Sequence, residues 1–572
     1  MKIEEINEMY DFLTYHLKKS RSENGMWRGH LSSSAISTSV SIYALYCIDK
    51  EKYADLIASG AQWLIKTMKP DGSWGDSIES PTNMTATLLS FVSLTALDKV
   101  PTETRAFLEK RFVDLTDERI INGVLDYYGK DLTFSVPILS MCALSGVISN
   151  WNMIPQFPFE ASVLPQSLYR FLRLPVVSYA IPALIAIGIL RFRKGRKNIL
   201  SPIREMFVDK SLKILSRIQP ANGGFLEAAP LTAFVSMCLC GAGYSNLEVT
   251  QKCADFLVSN VREDCAWPID TDLANWVTSL AIRGLAGDVD EREKMIEKLC
   301  DNAFKYKHPF TGALPGGWGW TDLRGSVPDA DDTSGSLVAL YALTKGKYLP
   351  EVADGINWLL ELQNADGGMP TFCKGWGKLP FDRSSADISA HAFYAFNLWK
   401  DSLPQNLRVR CEKSSKRLLN WLNKSMSRDG SWLPLWFGDQ DAPNMESPVY
   451  GTSTTVEYLS LSDNEEARLM VEKGVKYIEQ SQNEDGGWSG TKGMRSKVTL
   501  TSRALGALAS SNNPNMMVIE KGFAFLYDKY KSDTIFEAEP IGLYFAKLWY
   551  SEDLYNITFT MNALNRLKAI VK

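Results

Sequence analysis

The chain has 572 residues, is 45% hydrophobic and 11% aromatic, and carries a formal net charge of -4. By length alone it holds roughly two to four domains, with ample apolar material for their cores, and the absence of a basic bias excludes nucleic acid as an expected partner. Nine scattered Cys form no Cys-x-x-Cys pair, and Cys238 and Cys240 sit too close for the usual zinc spacing, so free thiols in a reducing, cytosolic compartment are expected.

The first residues, MKIEEINEMYDFLTYHLKKS, contain no apolar signal region. From there the sequence repeats itself: SRSENGMW (20–27), MKPDGSW (68–74), IQPANGGF (218–225), LQNADGGM (362–369), MSRDGSW (426–432) and SQNEDGGW (481–488). Each follows a helical-looking apolar stretch such as AQWLIKT or INWLLEL and precedes another such as TATLLSFVSLTAL. The pattern predicts a helix–loop–helix unit. Asp-Gly or Gly-Gly supplies the positive-φ turn that closes the first helix. The Trp covers the helix end, the Gln or Asp side chain bonds orphan backbone groups, and Ser or Thr caps the next helix. Strand signals are weak throughout, so the fold class is all-α. Repeated hairpins of this kind close into toroids or stack as solenoids.

LPVVSYAIPALIAIGILRF, residues 174–192, is unusually apolar and approaches the length of a membrane span. Pro175, Ser178, Tyr179 and Pro182 interrupt it, and FRKGRK overlaps its end. Three readings stand: a buried core helix, a helix lying in one leaflet with basic residues at the headgroups, and a true span.

Further on, VPDADDTSGS (327–336) places Asp329, Asp331 and Asp332 within four positions, just before an apolar helix. Such acids can be plain N-terminal caps. Crowded in a dry site, they would instead keep at least one carboxyl protonated near neutral pH. His391 is one of only four His and lies four residues after Asp387 in RSSADISAHAFYAF. It is either a packed helix residue or a hydrogen-bond partner that strengthens an acid.

The Gln–Gly–Trp repeats and the DADDT string together resemble the QW and DxDD motifs of squalene–hopene cyclases and other class II terpene cyclases. The resemblance spans nearly the whole chain, with departures at Met68, Met426, Phe225 and Met369. It implies two α/α barrels with a cavity between them: residues 21–271 as the γ barrel, and residues 1–20 as a helix packing on a β barrel formed by 272–572. It implies Asp331 as the acid that protonates an alkene, Asp329 and Asp332 as supporting carboxylates, and His391 as the cationic partner. Trp276, Trp318, Trp320, Trp436 and Tyr450 fall where that family has aromatics lining the cavity, whose faces stabilise carbocations without quenching them. Each can also be read as core packing. Cys373 matches a family Cys near the acid and is read as packing. Near the C-terminus, where the family has two Phe, this chain has Glu539 and Leu543, with Phe545 close by. A family Trp is replaced in LTFSVPILSM by Ile138.

The resemblance implies a linear polyprene as substrate, squalene or another C30 polyene. An alternative is a prenyl diphosphate that keeps its diphosphate, gripped by Arg191, Arg193, Lys194, Arg196 and Lys197. No cofactor or metal is expected, Mg²⁺ entering only with a diphosphate substrate. A peripheral or monotopic place on the cytoplasmic side of a membrane is expected, and a homodimer is allowed. No DDxxD motif, no zinc cluster of Asp, Cys and His, and no Gly-Cys-Gly-Glu-Gln element is found, which sets aside ionisation-started synthases, prenyltransferases and thioester proteins. A barrel glycosidase and a non-catalytic helical scaffold are the rival classes.

Overall fold

The computed structural model describes residues 1–129, 132–165, 168, 180–309, 311–372, 380–462 and 464–571. Its helices sort by how they are buried. Ala35–Asp49 is buried on every side from Ala35 to Leu45, whereas Glu465–Gln480 buries only the stripe Ala467, Met470, Val471, Gly474 and Ile478. A helix apolar all round belongs inside, and one with a single stripe belongs outside with its polar face in water.

Six inner helices, Ala274–Gly284, Ala330–Thr344, Ala386–Trp399, Pro448–Ser460, Val498–Ser510 and Asp553–Ile570, touch in that order, and the last closes on the first. Outer helices surround them, and Ile3–Lys19 joins that outer ring by packing on Asp553–Ile570. A second ring closes in the N-terminal part through Ala35–Asp49, Met84–Ala96, Leu132–Leu144, Ile181–Lys194 and Ala229–Gly241. Each ring has its own hydrophobic core. Trp27 belongs to the C-terminal core and Ala35 to the N-terminal one. The chain therefore passes between barrels a few residues later than residue 21.

The repeat loop is built from three bonds. The Trp indole N–H donates to a carbonyl in the last turn of the preceding outer helix: Trp74 to Leu64 at 2.8 Å, Trp432 to Leu422 at 2.9 Å, Trp488 to Ile478 at 2.8 Å. The backbone N–H of the same Trp donates to a Thr hydroxyl on the next inner helix: Thr87, Thr452 and Thr501. Where Gln is present, its amide spans two carbonyls, as Gln482 does at Gly486 (2.8 Å) and Val518 (2.9 Å). The turn Gly has φ of +86° at Gly486 and +104° at Gly367, and a Cβ there would strike the backbone of the neighbouring outer helix. Only Gly meets both demands.

Two further copies escaped the sequence pattern. Trp267 and Trp318 make the same indole bonds, to Leu257 and Leu299, both at 2.7 Å. In the first, Cys265 takes a positive φ of 68°, so no Gly marks the turn. In the second, Gln is missing. The copies at Phe225 and Met369 lack the indole bond but keep the backbone bond, to Thr232 and Ser389, and the Gln bonds, from Gln219 and Gln363.

Of the three readings of segment 174–192, the buried core helix is the one seen in its described residues, and the membrane-contact reading is corrected there. Ile181–Lys194 is an inner helix, with Ile181, Ile185, Ile189 and Phe192 buried in the N-terminal core. Pro175, Ser178 and Tyr179 lie outside the described residues. No helix among the described residues is long and apolar enough to cross a membrane. Exposed apolar side chains appear just beyond, at Ile199, Leu200, Ile203 and Met206.

The barrels meet where residues 31–34 cross between them. Ser33–Ser34 pairs with Trp267–Pro268, and Leu31 bridges Glu552. Buried Asp76 accepts from Ser34 Oγ and from the Trp549 backbone N–H, at 2.5 and 2.8 Å, which ties the N-terminal barrel to the C-terminal hairpin Ile541–Leu543/Leu548–Tyr550. Trp488→Phe keeps the ring but leaves the Ile478 carbonyl without its buried donor. It should destabilise the C-terminal barrel by about 1–3 kcal/mol, read as a lower urea midpoint with an unchanged far-UV spectrum before the transition.

Candidate active site

Each inner helix begins at the end of the barrel where a repeat loop delivers it, so the first turns of several inner helices converge. Asp329 is the N-cap of Ala330–Thr344. Its Oδ1 accepts the backbone N–H groups of Asp331 and Asp332 at 2.9 and 2.8 Å. Thr333, next in the motif, is the repeat Thr that holds the Trp318 backbone. The acid motif is thus laid over an ordinary repeat junction. With Asp329 spent on capping, Asp331 turns outward and Asp332 turns back against Asp329.

Burial raises the Asp329 carboxyl to about 7, against the bonds that favour its charge, and raises Asp332 well above the usual range, with the Asp329 charge adding to the effect. Asp331 Oδ1 lies 2.6 Å from His391 Nδ1. His391 and Asp387 stand one turn apart on Ala386–Trp399. Burial first, then the Asp331 charge, lifts Asp387 to about 6, while Ser385 donates to its Oδ1.

The sequence led to a cationic His391. In the structure the His391 ring is 1% exposed and burial holds its pKa below the ordinary value, with Arg283 and Arg503 lowering it further and Asp331 opposing. His391 stacks on Tyr458 at 4.4 Å and 4° and meets Trp276 edge-on at 6.4 Å. Behind Tyr458 lies buried Glu457, between Arg283 (3.2 Å) and Arg503 (3.3 Å). The two cations hold its carboxyl down at about 2.

Asp331, Asp387, Trp276 and Tyr450 line one cavity of about 250 Å³, together with Leu280, Thr454, Tyr458, Arg503 and Phe559. A separate row of aromatics lies at the seam: Trp320–Phe372 at 6.0 Å, Phe372–Trp436 at 5.6 Å, Phe381–Phe545 at 5.2 Å and Phe134–Phe545 at 6.5 Å. Trp436 and Trp320 thus sit in the seam and not at the acid.

Trp318 is corrected outright: it is fully buried, spends its N–H on Leu299, and serves as a repeat Trp facing away from the cavity. Phe545 does join the aromatic row, while Glu539 caps Val498–Ser510 from outside through the Val498 and Thr499 N–H groups at 2.6 and 2.9 Å. Cys373 lies outside the described residues. Tyr458, Arg503 and Thr454 were missed. The signal was present for two of them, since Tyr450, Thr454 and Tyr458 fall at i, i+4 and i+8 on one helical face.

The crowded acids carry a stability signature. Asp329 rises from 3.8 to about 7 on folding, so its contribution is complete below the unfolded value and is lost as pH rises through the folded one. Wild-type stability should fall between about pH 4 and 7 on this account. Asp332→Asn removes a second buried carboxyl whose pKa is raised well above the usual range, and so should flatten the fall of stability with pH and raise the thermal midpoint at neutral pH. Identical pH–midpoint curves would show that the pair is not coupled.

With this geometry in hand, the relatives can be placed. A family model described as squalene–hopene cyclase C-terminal domain matches residues 270–569, just over half the chain, and one described as prenyltransferase alpha-alpha toroid domain matches residues 5–160. An enfumafungin synthase from Hormonema carpetanum is 23% identical over 82% of this chain and 41% of its own length. A squalene–hopene cyclase from Zymomonas mobilis is 24% identical over 37% and 34%. The chain thus spans less than half the length of these two curated relatives. The solved structure of an ent-copalyl diphosphate synthase from Streptomyces platensis shares the fold, with a TM-score of 0.57, 15% identity, and coverage of 98% of this chain and 100% of that one. By the match over its C-terminal half, which holds the Asp331–His391 pair, the chain belongs to the squalene–hopene cyclase family.

Proposed function

We propose that this chain is a class II terpene cyclase, which starts cyclisation of a linear polyprene by protonating an alkene. The observation that carries the reading is the Asp331–His391 contact at 2.6 Å, opening into a cavity walled by Trp276, Tyr450 and Phe559. In the step, the alkene π pair takes the Asp331 proton. A C–H bond forms, the O–H bond breaks, and a tertiary carbocation faces aromatic rings that stabilise it without a nucleophilic lone pair. Asp331 is left as a carboxylate bonded to His391. Proton loss or water addition ends the cascade.

We assign a hydrocarbon of the squalene class as substrate. The name of the Zymomonas relative supports this reading. So does the basic run, which is tied to its own barrel: Arg191 donates to the Ile154 carbonyl, Lys197 to the Phe192 carbonyl, and Arg193 to Glu205 and Tyr244. The small cavity holds the reacting end, and the rest of the chain would run along the aromatic seam. A prenyl diphosphate is the second reading, favoured by the fold shared with the Streptomyces structure. Placement on a membrane surface is part of the proposal, transferred from residues 174–192 to Ile199, Leu200, Ile203 and Met206, which are 55–92% exposed beside Lys194, Arg196 and Lys197.

Incubation with squalene and with geranylgeranyl diphosphate, each with Mg²⁺ or EDTA, followed by gas chromatography–mass spectrometry, tests the substrate. A cyclic isomer of squalene insensitive to EDTA supports the first reading; a cyclised alcohol seen only after phosphatase treatment supports the second. Asp331→Asn should lower turnover by about 10³-fold or more with the unfolding midpoint retained, and substantial activity would remove Asp331 as the acid. For the membrane surface, Ile199→Ser with Met206→Ser should abolish co-sedimentation with anionic phosphatidylglycerol vesicles; undiminished binding would place the surface elsewhere.

A further inference from the structure

Arg283, Glu457 and Arg503 form a buried cluster that the steps above do not use. Glu457 is fully buried; its Oε1 accepts from Arg283 Nη2 and its Oε2 lies 3.3 Å from Arg503 Nη1. Arg566 stands 3.9 Å away and is partly exposed. Two buried guanidiniums against one carboxylate leave net positive charge in the core of the C-terminal barrel. Such a cluster is a poor source of stability, because desolvation offsets most of the Coulomb gain and apolar replacements often do as well. Its position is therefore the informative feature. Arg283 Nη1 donates to the Tyr458 hydroxyl at 2.7 Å and lies 5.1 Å over its ring; Tyr458 stacks flat on His391; His391 meets Asp331. Arg503 lines the cavity beside Asp331 itself.

The imidazole reports the same arrangement from its other side. Among the described residues, no protein group pairs with His391 Nε2. An imidazolium has two N–H donors, and here one of them would lack a protein acceptor in a buried site. A neutral ring protonated on Nδ1 places its single N–H on Asp331. The charged and titratable groups around it, helix by helix, are Asp331, Asp387 on its own helix, Tyr450, Glu457 and Tyr458, Arg283, and Arg503.

We propose that the positive charge that makes Asp331 a strong acid resides on the buried Arg283–Arg503 pair, while His391 stays neutral and donates its Nδ1–H. This rests on the cyclase reading of the site. In the protonation step the O–H bond of Asp331 breaks and the C–H bond forms. No proton moves onto or off His391, and the new carboxylate is stabilised by one N–H bond and by the field of two guanidiniums in a medium of low dielectric. Arg283 is a positioning residue that acts through Tyr458, His391 and the field. Placing the permanent charge on Arg also removes any need for a second titrating group, since a guanidinium does not lose its proton in this pH range.

The test uses the full chain labelled with ¹⁵N-histidine. There are four His, and the His391 signal is assigned by its loss in His391→Gln. Its imidazole shifts, read without substrate between about pH 6 and 8, should be those of the neutral Nδ1–H tautomer. An imidazolium signature at neutral pH would overturn the proposal. Arg283→Gln should raise the pH at which the ring protonates by about one unit or more and lower kcat about tenfold with KM little changed. Arg283→Lys, which keeps the charge, should restore kcat to within about threefold of wild type. An unmoved titration in Arg283→Gln would also overturn the proposal. If that variant fails to fold, the wild-type shifts decide alone. Because the imidazole is read without turnover, a lack of cyclase activity would count against the proposed function and not against the neutral His391.

Discussion

One interaction recurs through both barrels: an aromatic residue pinned between the end of an outer helix and the start of an inner one. The indole N–H satisfies a carbonyl that would otherwise be orphaned at a buried helix end, and the Thr hydroxyl satisfies the backbone N–H of the same residue. The loop between is short, tight and without strands, so it can be buried without leaving polar groups unpaired. Everything else follows from this pin. It sets the angle at which each inner helix enters, and so brings the first turns of several inner helices together at one end of the barrel.

The acid motif exploits that junction. In Ser34–Thr38 and Asn83–Thr87 the first turn of an inner helix carries a cap and, four residues on, the Thr that holds a Trp. Asp329 and Thr333 occupy those two places. Asp331 and Asp332 fill the positions between, one facing the cavity and the other facing the cap. An architectural device repeated within the chain thus positions the backbone that carries the reactive carboxyl, which is what orientation of an acid against a weakly basic alkene requires.

The electrostatics of the site are asymmetric. Acids with raised pKa values, Asp329, Asp332 and Asp387, crowd the helix starts. Guanidiniums lie one layer deeper, stacked on Tyr450, Tyr458 and Phe559. Tyr458 stands between Arg283 and His391, whereas Arg503 shares the cavity lining with Asp331 and Asp387. Tyr458 links the layers, with its hydroxyl on Arg283 and its ring on His391.

Much of this was legible from the sequence. The Gly turn, the Gln and the Trp recur because each copy solves the same local problem, so the all-α toroid could be read from period and turn chemistry. Asp331 and His391 were legible because each sits in a short motif. The failures have a common cause. Trp318 and Trp276 look alike in sequence, yet one ring closes a repeat and the other faces the cavity, a difference set by which helix end lies beneath each. Residues 181–192 are apolar enough for lipid and are instead covered by neighbouring helices of their own barrel. Arg283, Glu457 and Arg503 come from three inner helices spread over more than two hundred residues, and nothing local announces them. The repeat, the helices and the acid motif are local features, legible because they depend on neighbours a few residues away. Which aromatics see the cavity, and which guanidiniums gather behind it, depend on the closure of a ring of helices that brings distant residues into one dry space.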